Sequence, residues 1–259
     1  MKLHFTKYQA TGNDFILIDN RRNEYSLSTE QIKRLCDRRF GIGADGIMLI
    51  ETHPALDFNL VYYNSDGSQS LCGNGSRAAL HFASQLGLVN GMARFNAFDG
   101  EHTGEFGTQG IIRIKLNNVS EITPVNSDLF INTGSPHLVR FVEAVESFPV
   151  FDEGKKIRYN EPFAARGGTN VNFVELLPDN TLYVRTYERG VENETLSCGT
   201  GVTAAALAAA QKGYLSPIKV KTRGGNLQVE FRQQANKPYF TEIYLSGPAK
   251  KVFEGMIEL

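Results

Sequence analysis

The sequence is short of every feature that would commit it to an unusual environment. It has only three cysteines, Cys36, Cys72 and Cys198, too few and too odd in number for the disulfide framework of a secreted domain. No Cys-x-x-Cys pair occurs, so no dithiol redox motif is present. Neither Cys72 nor Cys198 has a His or Cys companion at zinc-ligand spacing, and no metal site is expected. No run approaches the ~18 apolar residues of a membrane span, and the opening Met1–Lys7 has no apolar leader core. The net charge is −1 with basic residues spread along the chain. That leaves no electrostatic footprint for nucleic acid or an anionic membrane surface. These absences imply a cytoplasmic protein with reduced thiols.

What is present is an ordinary globular composition. The 259 residues are 41% hydrophobic and 21% charged, enough for a core without staples and for one large or two modest domains. Short segments rich in β-branched and aromatic residues read as strands at 15–19, 47–51, 59–63, 111–116, 172–176, 182–186, 227–231 and 242–245. Ser28 and Gln31 form a capping-box pattern that opens a helix over 29–38. Apolar spacing of three and four predicts another helix over 136–146.

Two further helices carry the argument. Cys72-Gly73-Asn74-Gly75-Ser76-Arg77-Ala78-Ala79 opens one that runs to Gly87, and Cys198-Gly199-Thr200-Gly201-Val202-Thr203-Ala204-Ala205 opens another that runs to Gly213. The offset of 126 residues also relates Ala83 to Ala209 and Gly87 to Gly213, and an offset of 125 relates Gly100 to Gly225 and Glu105-Phe106 to Glu230-Phe231. Solenoid repeats run about 20–50 residues, so a period this long means a duplicated domain. Both helices are mostly apolar and therefore buried on most sides. The fold expected is α/β (α+β): two pseudo-symmetric domains, each a mostly antiparallel sheet or barrel wrapped around a central helix. The halves are placed at 1–118 and 119–248, with 249–259 returning to the first.

A cysteine at a helix start is a chemical statement. The first turn carries unpaired N–H groups and about half a positive charge, which stabilises a thiolate. Small neighbours let a carboxylate reach the same amides. Each half thus offers one activatable thiol and one anion cradle. Face to face, two such units would hold one carboxylate with its α-carbon between the thiols, an arrangement suited to inverting that carbon. A lone cysteine is ordinarily a small buried hydrophobe, and Cys36 inside the 29–38 helix reads that way. Gly41-Ile42-Gly43-Ala44-Asp45-Gly46 is formally G-x-G-x-x-G. It follows a helix and precedes a strand, the reverse of a dinucleotide fingerprint. No lysine sits in a setting that suggests a pyridoxal phosphate Schiff base.

The whole chain resembles diaminopimelate epimerase. The resemblance is carried by Gly12-Asn13-Asp14-Phe15, Gly41-Ile42-Gly43-Ala44-Asp45, Asn64-Ser65-Asp66-Gly67-Ser68, Cys72-Gly73-Asn74-Gly75, Pro136-His137, Tyr187-Glu188-Arg189-Gly190 and Cys198-Gly199-Thr200-Gly201. It implies two similar domains with the site in the cleft between them, no cofactor, a homodimer, and interconversion of LL- and meso-2,6-diaminopimelate on the route to lysine and peptidoglycan cross-links. It implies Cys72 and Cys198 as the two bases and the amides of Gly73, Asn74, Gly199 and Thr200 as the carboxylate cradle. Asn13, Asn64, Asn170 and Arg189 are the implied substrate contacts. Glu188 is implied to take a substrate ammonium and, with His137, to tune the thiols. Ser135 stands where many members have Asn, and Gly46 where many have Gln. The rival readings are a proline or hydroxyproline racemase of the same fold, a non-catalytic amino-acid-binding protein, and a thiol-redox protein.

Overall fold

The computed structural model describes residues 2–107, 110–234 and 239–259. The chain divides into two compact units, Met1–Ile114 with Gly247–Leu259, and Lys115–Ser246.

In the first unit the elements run β1 (Lys2–Ala10), β2 (Asn13–Asp19), α1 (Thr29–Cys36), β3 (Gly46–Glu51), β4 (Phe58–Asn64), α2 (Gly73–Gln85), β5 (Met92–Ala97), β6 (Gly100–Phe106) and β7 (Ile111–Leu116). The β1–β2 pair is antiparallel, β2–β3 parallel, β3–β4 antiparallel, β4–β5 parallel, and β5–β6 and β6–β7 antiparallel. The last strand of the chain, β17 (Lys250–Glu258), pairs antiparallel with β1, from Lys2 opposite Glu258 onward.

The second unit repeats this order. After the short β8 (Thr123–Val125) come β9 (Asp128–Asn132), β10 (Pro136–Phe141), α3 (Val150–Tyr159), β11 (Asn170–Leu177), β12 (Thr181–Glu188), β13 (Asn193–Thr195), α4 (Gly199–Ala210), β14 (Ile218–Thr222), β15 (Gly225–Gln233) and β16 (Phe240–Pro248). With β13 set aside, the alternation matches strand for strand. The β9–β10 pair is antiparallel, β10–β11 parallel, β11–β12 antiparallel, β12–β14 parallel, and β14–β15 and β15–β16 antiparallel.

Each unit wraps its strands around one helix. α2 packs against β1, β2, β3, β6 and β17, and α4 against β9, β10, β11, β12, β14 and β15. From Gly201 to Ala209 every residue of α4 is buried. Such a helix is made of Ala, Leu and Val because no face meets water. Both helices stop by the same device: Leu88 N–H donates to the Ala83 carbonyl and Tyr214 N–H to the Ala209 carbonyl. The intervening Gly87 and Gly213 take positive φ of 73° and 89°, the left-handed position that ends a helix without a Cβ penalty.

The capping box forms as the pattern predicts, with Ser28 Oγ accepting from Gln31 N–H and Gln31 Oε1 accepting from Ser28 N–H. The helix expected over 136–146 does not. Residues 136–141 are β10, paired on both edges, and His137, Leu138 and Val139 are buried in succession. A strand covered on both faces loses its alternation and mimics helical spacing. The helix lies further on, at Val150–Tyr159, directly after Pro149. No helix among the described residues is long and apolar enough to cross a membrane.

Phe173 is fully buried in β11 and packs against Phe148 with ring centroids 4.6 Å apart. Phe173→Ala is expected to cost about 3–5 kcal/mol, read as a lowered urea midpoint for the second unit.

Candidate active site

Cys72 and Cys198 occupy the N-cap positions of α2 and α4 with near-identical backbones, φ −124° and ψ 110° against φ −119° and ψ 111°. Sheet register extends the correspondence. Phe15 lies opposite Gly46 across β2–β3 as His137 lies opposite Asn170 across β10–β11. Two residues further along each second strand, Met48 therefore answers to Asn172.

In the first unit the Cys72 sulfur accepts the Gly75 N–H at 3.3 Å, so the thiol itself caps an amide that has no intrahelical acceptor. Beside it Asn74, 1% exposed, donates from Nδ2 to Asn13 Oδ1 at 2.5 Å. Asn13 donates in turn to Asp45 Oδ2 at 2.9 Å. Arg38 bridges Asp45 and Asp14, and Lys7 pairs with Asp14. The implied contact Asn13 is thus held at the end of an ionic cluster. Asn64 donates to Ser68 Oγ and Ser70 Oγ, pinning the loop that leads into Cys72. Gly46 is fixed by packing: a Cβ there would lie 2.4 Å from the Tyr62 ring and 2.5 Å from the Tyr63 carbonyl oxygen. A longer side chain at Gly46 demands that Tyr62 move.

The second unit brings Cys198, Gly199, Thr200 and His137 together and sets Asn170, Glu188 and Arg189 at neighbouring strand ends. Asn172 is oriented by Thr186 Oγ1 donating to its Oδ1 and by its own Nδ2 donating to the Leu138 carbonyl. The same Nδ2 lies 3.2 Å from His137 Nδ1. An amide nitrogen only donates, so His137 Nδ1 accepts and its proton sits on Nε2. That N–H donates to Thr200 Oγ1 at 2.9 Å. The Thr200 hydroxyl lies 3.6 Å from the Cys198 sulfur, a contact in which either atom can donate. The chain Asn172–His137–Thr200 thus ends beside that sulfur. Gly201 makes the approach possible, since a Cβ there would lie 2.2 Å from Asn172 Oδ1.

His137 is fully buried, and burial, then the nearby charge of Arg189, pull its pKa down to about 3. It works as a neutral ring. Asn170 donates to Ser135 Oγ and to the Pro136 carbonyl, while its Oδ1 accepts the Arg189 N–H. Ser135 therefore anchors Asn170. Glu188 accepts from Thr195 at 2.8 Å, and Arg189 is exposed. Cys36 lies elsewhere in the core, its thiol pushed up to about 12 by burial, as befits a packing residue. Among the described residues no group of three or more His, Cys, Asp and Glu could hold a metal.

The relay residues Asn172 and Thr186, and the Asp45–Arg38 cluster behind Asn13, are absent from the sequence-derived set. Asn172 had a legible signal: a polar side chain flanked by Val171 and Phe173 and in phase with Asn170 along a strand.

Residues 5–111 and 129–252 match the family model described as Diaminopimelate epimerase. This chain belongs to that family. It is 47% identical to the diaminopimelate epimerase of Flavobacterium psychrophilum, covering 99% of this chain and 100% of the relative. It is 39% identical to that of Aquifex aeolicus, covering 98% of each. Among solved structures it shares its fold with a Bacillus anthracis phenazine biosynthesis protein of the PhzF family, TM-score 0.79 at 13% identity over all of both chains. It also shares it with a probable proline racemase from Agrobacterium radiobacter, TM-score 0.70 at 13% identity over 99% of this chain and 93% of that one. Members of this family are isomerases, and the curated relatives bear a single activity.

The His137 environment predicts a pH signature. Between about 3 in the folded protein and the ordinary 6.5, the unfolded chain binds a proton that the folded chain refuses. Stability therefore falls as pH drops through that window and owes His137 nothing above it. Urea unfolding from pH 7 to 4 should show this slope, and His137→Gln should flatten it. Nitrogen-15 spectra should show an uncharged Nε2–H ring at pH 5.

Proposed function

We propose that this chain interconverts LL- and meso-2,6-diaminopimelate without a cofactor, using Cys72 and Cys198 as a thiolate–thiol pair. One thiolate takes the α-proton and becomes a thiol. The other thiol gives its proton to the opposite face and becomes the thiolate, so the enzyme ends with the charge exchanged. The observation that carries this reading is the repeated N-cap cysteine, each time at the first turn of a largely buried helix. A non-catalytic amino-acid-binding protein would use the same cradles but has no need of sulfur at either.

The energetic demand fits the architecture. An α-proton lies on the order of a dozen pK units above a thiol, a gap above ~15 kcal/mol at ~1.36 kcal/mol per unit. A single oxyanion donor supplies only ~3–4 kcal/mol. Several first-turn amides, those of Gly73, Asn74, Gly199 and Thr200, are therefore recruited to the carboxylate as it becomes an enediolate. Arg189 offers a two-pronged fork for the distal carboxylate, Glu188 an acceptor for an ammonium, and Asn13, Asn64 and Asn170 mixed donors and acceptors. His137 acts through Thr200 on Cys198. The active form is a homodimer, and the compartment is the cytoplasm, where three free thiols stay reduced.

Proton NMR of LL-diaminopimelate with reduced enzyme in D₂O tests the reading. The α-proton signal should vanish as meso isomer appears, and Cys72→Ala and Cys198→Ala should each slow conversion by at least about 10²–10⁴-fold. Exchange with proline or hydroxyproline but not with diaminopimelate would sink the substrate assignment. Undiminished turnover in both variants would sink the two-thiol chemistry.

A further inference from the structure

Two side-chain amides beside the first helix start are oriented from both ends. Arg77, fully buried in α2, donates from Nη2 to Asn74 Oδ1 at 3.0 Å. Asn74 Nδ2 donates to Asn13 Oδ1 at 2.5 Å, and Asn13 Nδ2 donates to Asp45 Oδ2 at 2.9 Å. A guanidinium has no acceptor and an ionised carboxylate has no donor. The oxygen of Asn74 must therefore face Arg77, and the nitrogen of Asn13 must face Asp45. The contact between the two amides can then run only one way. Every donor in the chain points from the cation toward the anion, and each bond polarises the next.

Asp45 is itself held on every side. Its Oδ2 also accepts the Asp14 N–H at 3.2 Å, and its Oδ1 takes Arg38 Nη2 at 2.8 Å. Its backbone N–H donates to the Asp14 carbonyl and its carbonyl accepts the Ser65 N–H. It thus ties the strand that carries Asn13 to the residue after Asn64. Arg38 is held in turn by Asp14 at 2.9 and 2.6 Å, and Asp14 by Lys7. Stability does not account for this arrangement: the Arg38 side chain is 59% exposed, and exposed ion pairs contribute little. The second unit holds the corresponding residue without charge. Counting back from the Phe15–Gly46 and His137–Asn170 pairs, Ser135 answers to Asn13 and Thr169 to Asp45. Ser135 is held by the Asn170 amide at 2.9 Å. An ionic clamp stands in the first unit where a neutral one stands in the second.

We propose that Asp45 is a positioning residue for Asn13, its carboxylate taking one Nδ2 hydrogen and leaving the other for an oxygen of the substrate. The proposal deepens the epimerase reading above and rests on it, since that reading makes Asn13 a substrate contact. An asparagine without such a clamp can turn its amide over and present oxygen in place of N–H. Asn13 cannot. The reversed amide would set an oxygen against the Asp45 carboxylate and a nitrogen against the Asn74 N–H. The site therefore meets its substrate with a donor already aimed, and the cost of ordering that side chain falls on folding rather than on binding. Arg38 acts one step further back, by holding the other carboxylate oxygen. Arg77 acts at the opposite end of the chain, by fixing the amide that Asn13 accepts from.

A double-mutant cycle on the steady-state epimerisation of LL-diaminopimelate tests this. Asp45→Ala should lower kcat/KM about 10–100-fold, and through the same parameter, kcat or KM, that Asn13→Ala changes. In the Asn13→Ala background, adding Asp45→Ala should cost less than about twofold, because the side chain it positions is gone. A purely structural role would cost the same in both backgrounds. That result, or an undiminished kcat/KM in Asp45→Ala, would overturn the proposal. Where Asp45→Ala does not fold, the wild type decides. The Asn13 side-chain amide, assigned by the nitrogen-15 signal lost in Asn13→Ala, should have one hydrogen exchanging with water at least about tenfold more slowly than the other. Equal, fast exchange of both hydrogens would overturn the clamp. Absence of any α-proton exchange in the wild type removes the epimerase reading and this proposal with it, whereas wild-type turnover with equal losses in both backgrounds removes Asp45 alone.

Discussion

A helix enclosed on every side still has a first turn whose amides lack intrahelical acceptors, and burying those amides without a partner is expensive. The rest of each unit is arranged around that constraint. The strands surround α2 and α4 so closely that Gly73 to Leu80 and Gly201 to Ala209 are buried without a break. What remains open chemically is the helix start. A sulfur placed there is held by the same field that would hold a carboxylate, so thiol activation and anion binding share one cause. Glycine at the third helical position lets the turn come close to its neighbours: Met48 crowds Gly75 as Asn172 crowds Gly201.

Duplication gives two such starts, and divergence has made them chemically unequal. Around Cys198 the supporting groups are polar and uncharged, oriented by Thr186 and relayed through His137 and Thr200. Around Cys72 the corresponding strand positions, Phe15 and Met48, are apolar, and the sulfur accepts the Gly75 N–H of its own helix. A relay of hydroxyl and imidazole can turn its hydrogens to suit either charge state of a neighbour.

Much of this was legible in the chain. The two Cys-Gly-x-Gly starts, their glycine stops at Gly87 and Gly213, and the paired Gly100 and Gly225 strand starts stand where the repeat places them. The capping box at Ser28 formed because its signal is local. The segment 136–146 misled because β10 is buried by neighbours on both edges, an environment set by residues far away in sequence. The strand β17, with Lys250, Lys251, Glu254 and Glu258 along a mostly exposed segment, gave little pattern to read. Asn172 and Arg77 were hidden for a related reason. A polar residue in an apolar run announces that something is needed there, but only the fold reveals what it touches.

The strand β17 has a consequence for how the molecule comes into being. It completes the first unit by pairing along β1 from Lys2 to Gln9, yet it follows the entire second unit in sequence. As the chain leaves the ribosome, Lys115–Ser246 is complete before β1 can meet its partner. Domains generally fold as units in order of synthesis, and here that order is turned round. The half that begins first must wait, with one edge of β1 unpaired and exposed to wrong partners, until the last few residues arrive to close it.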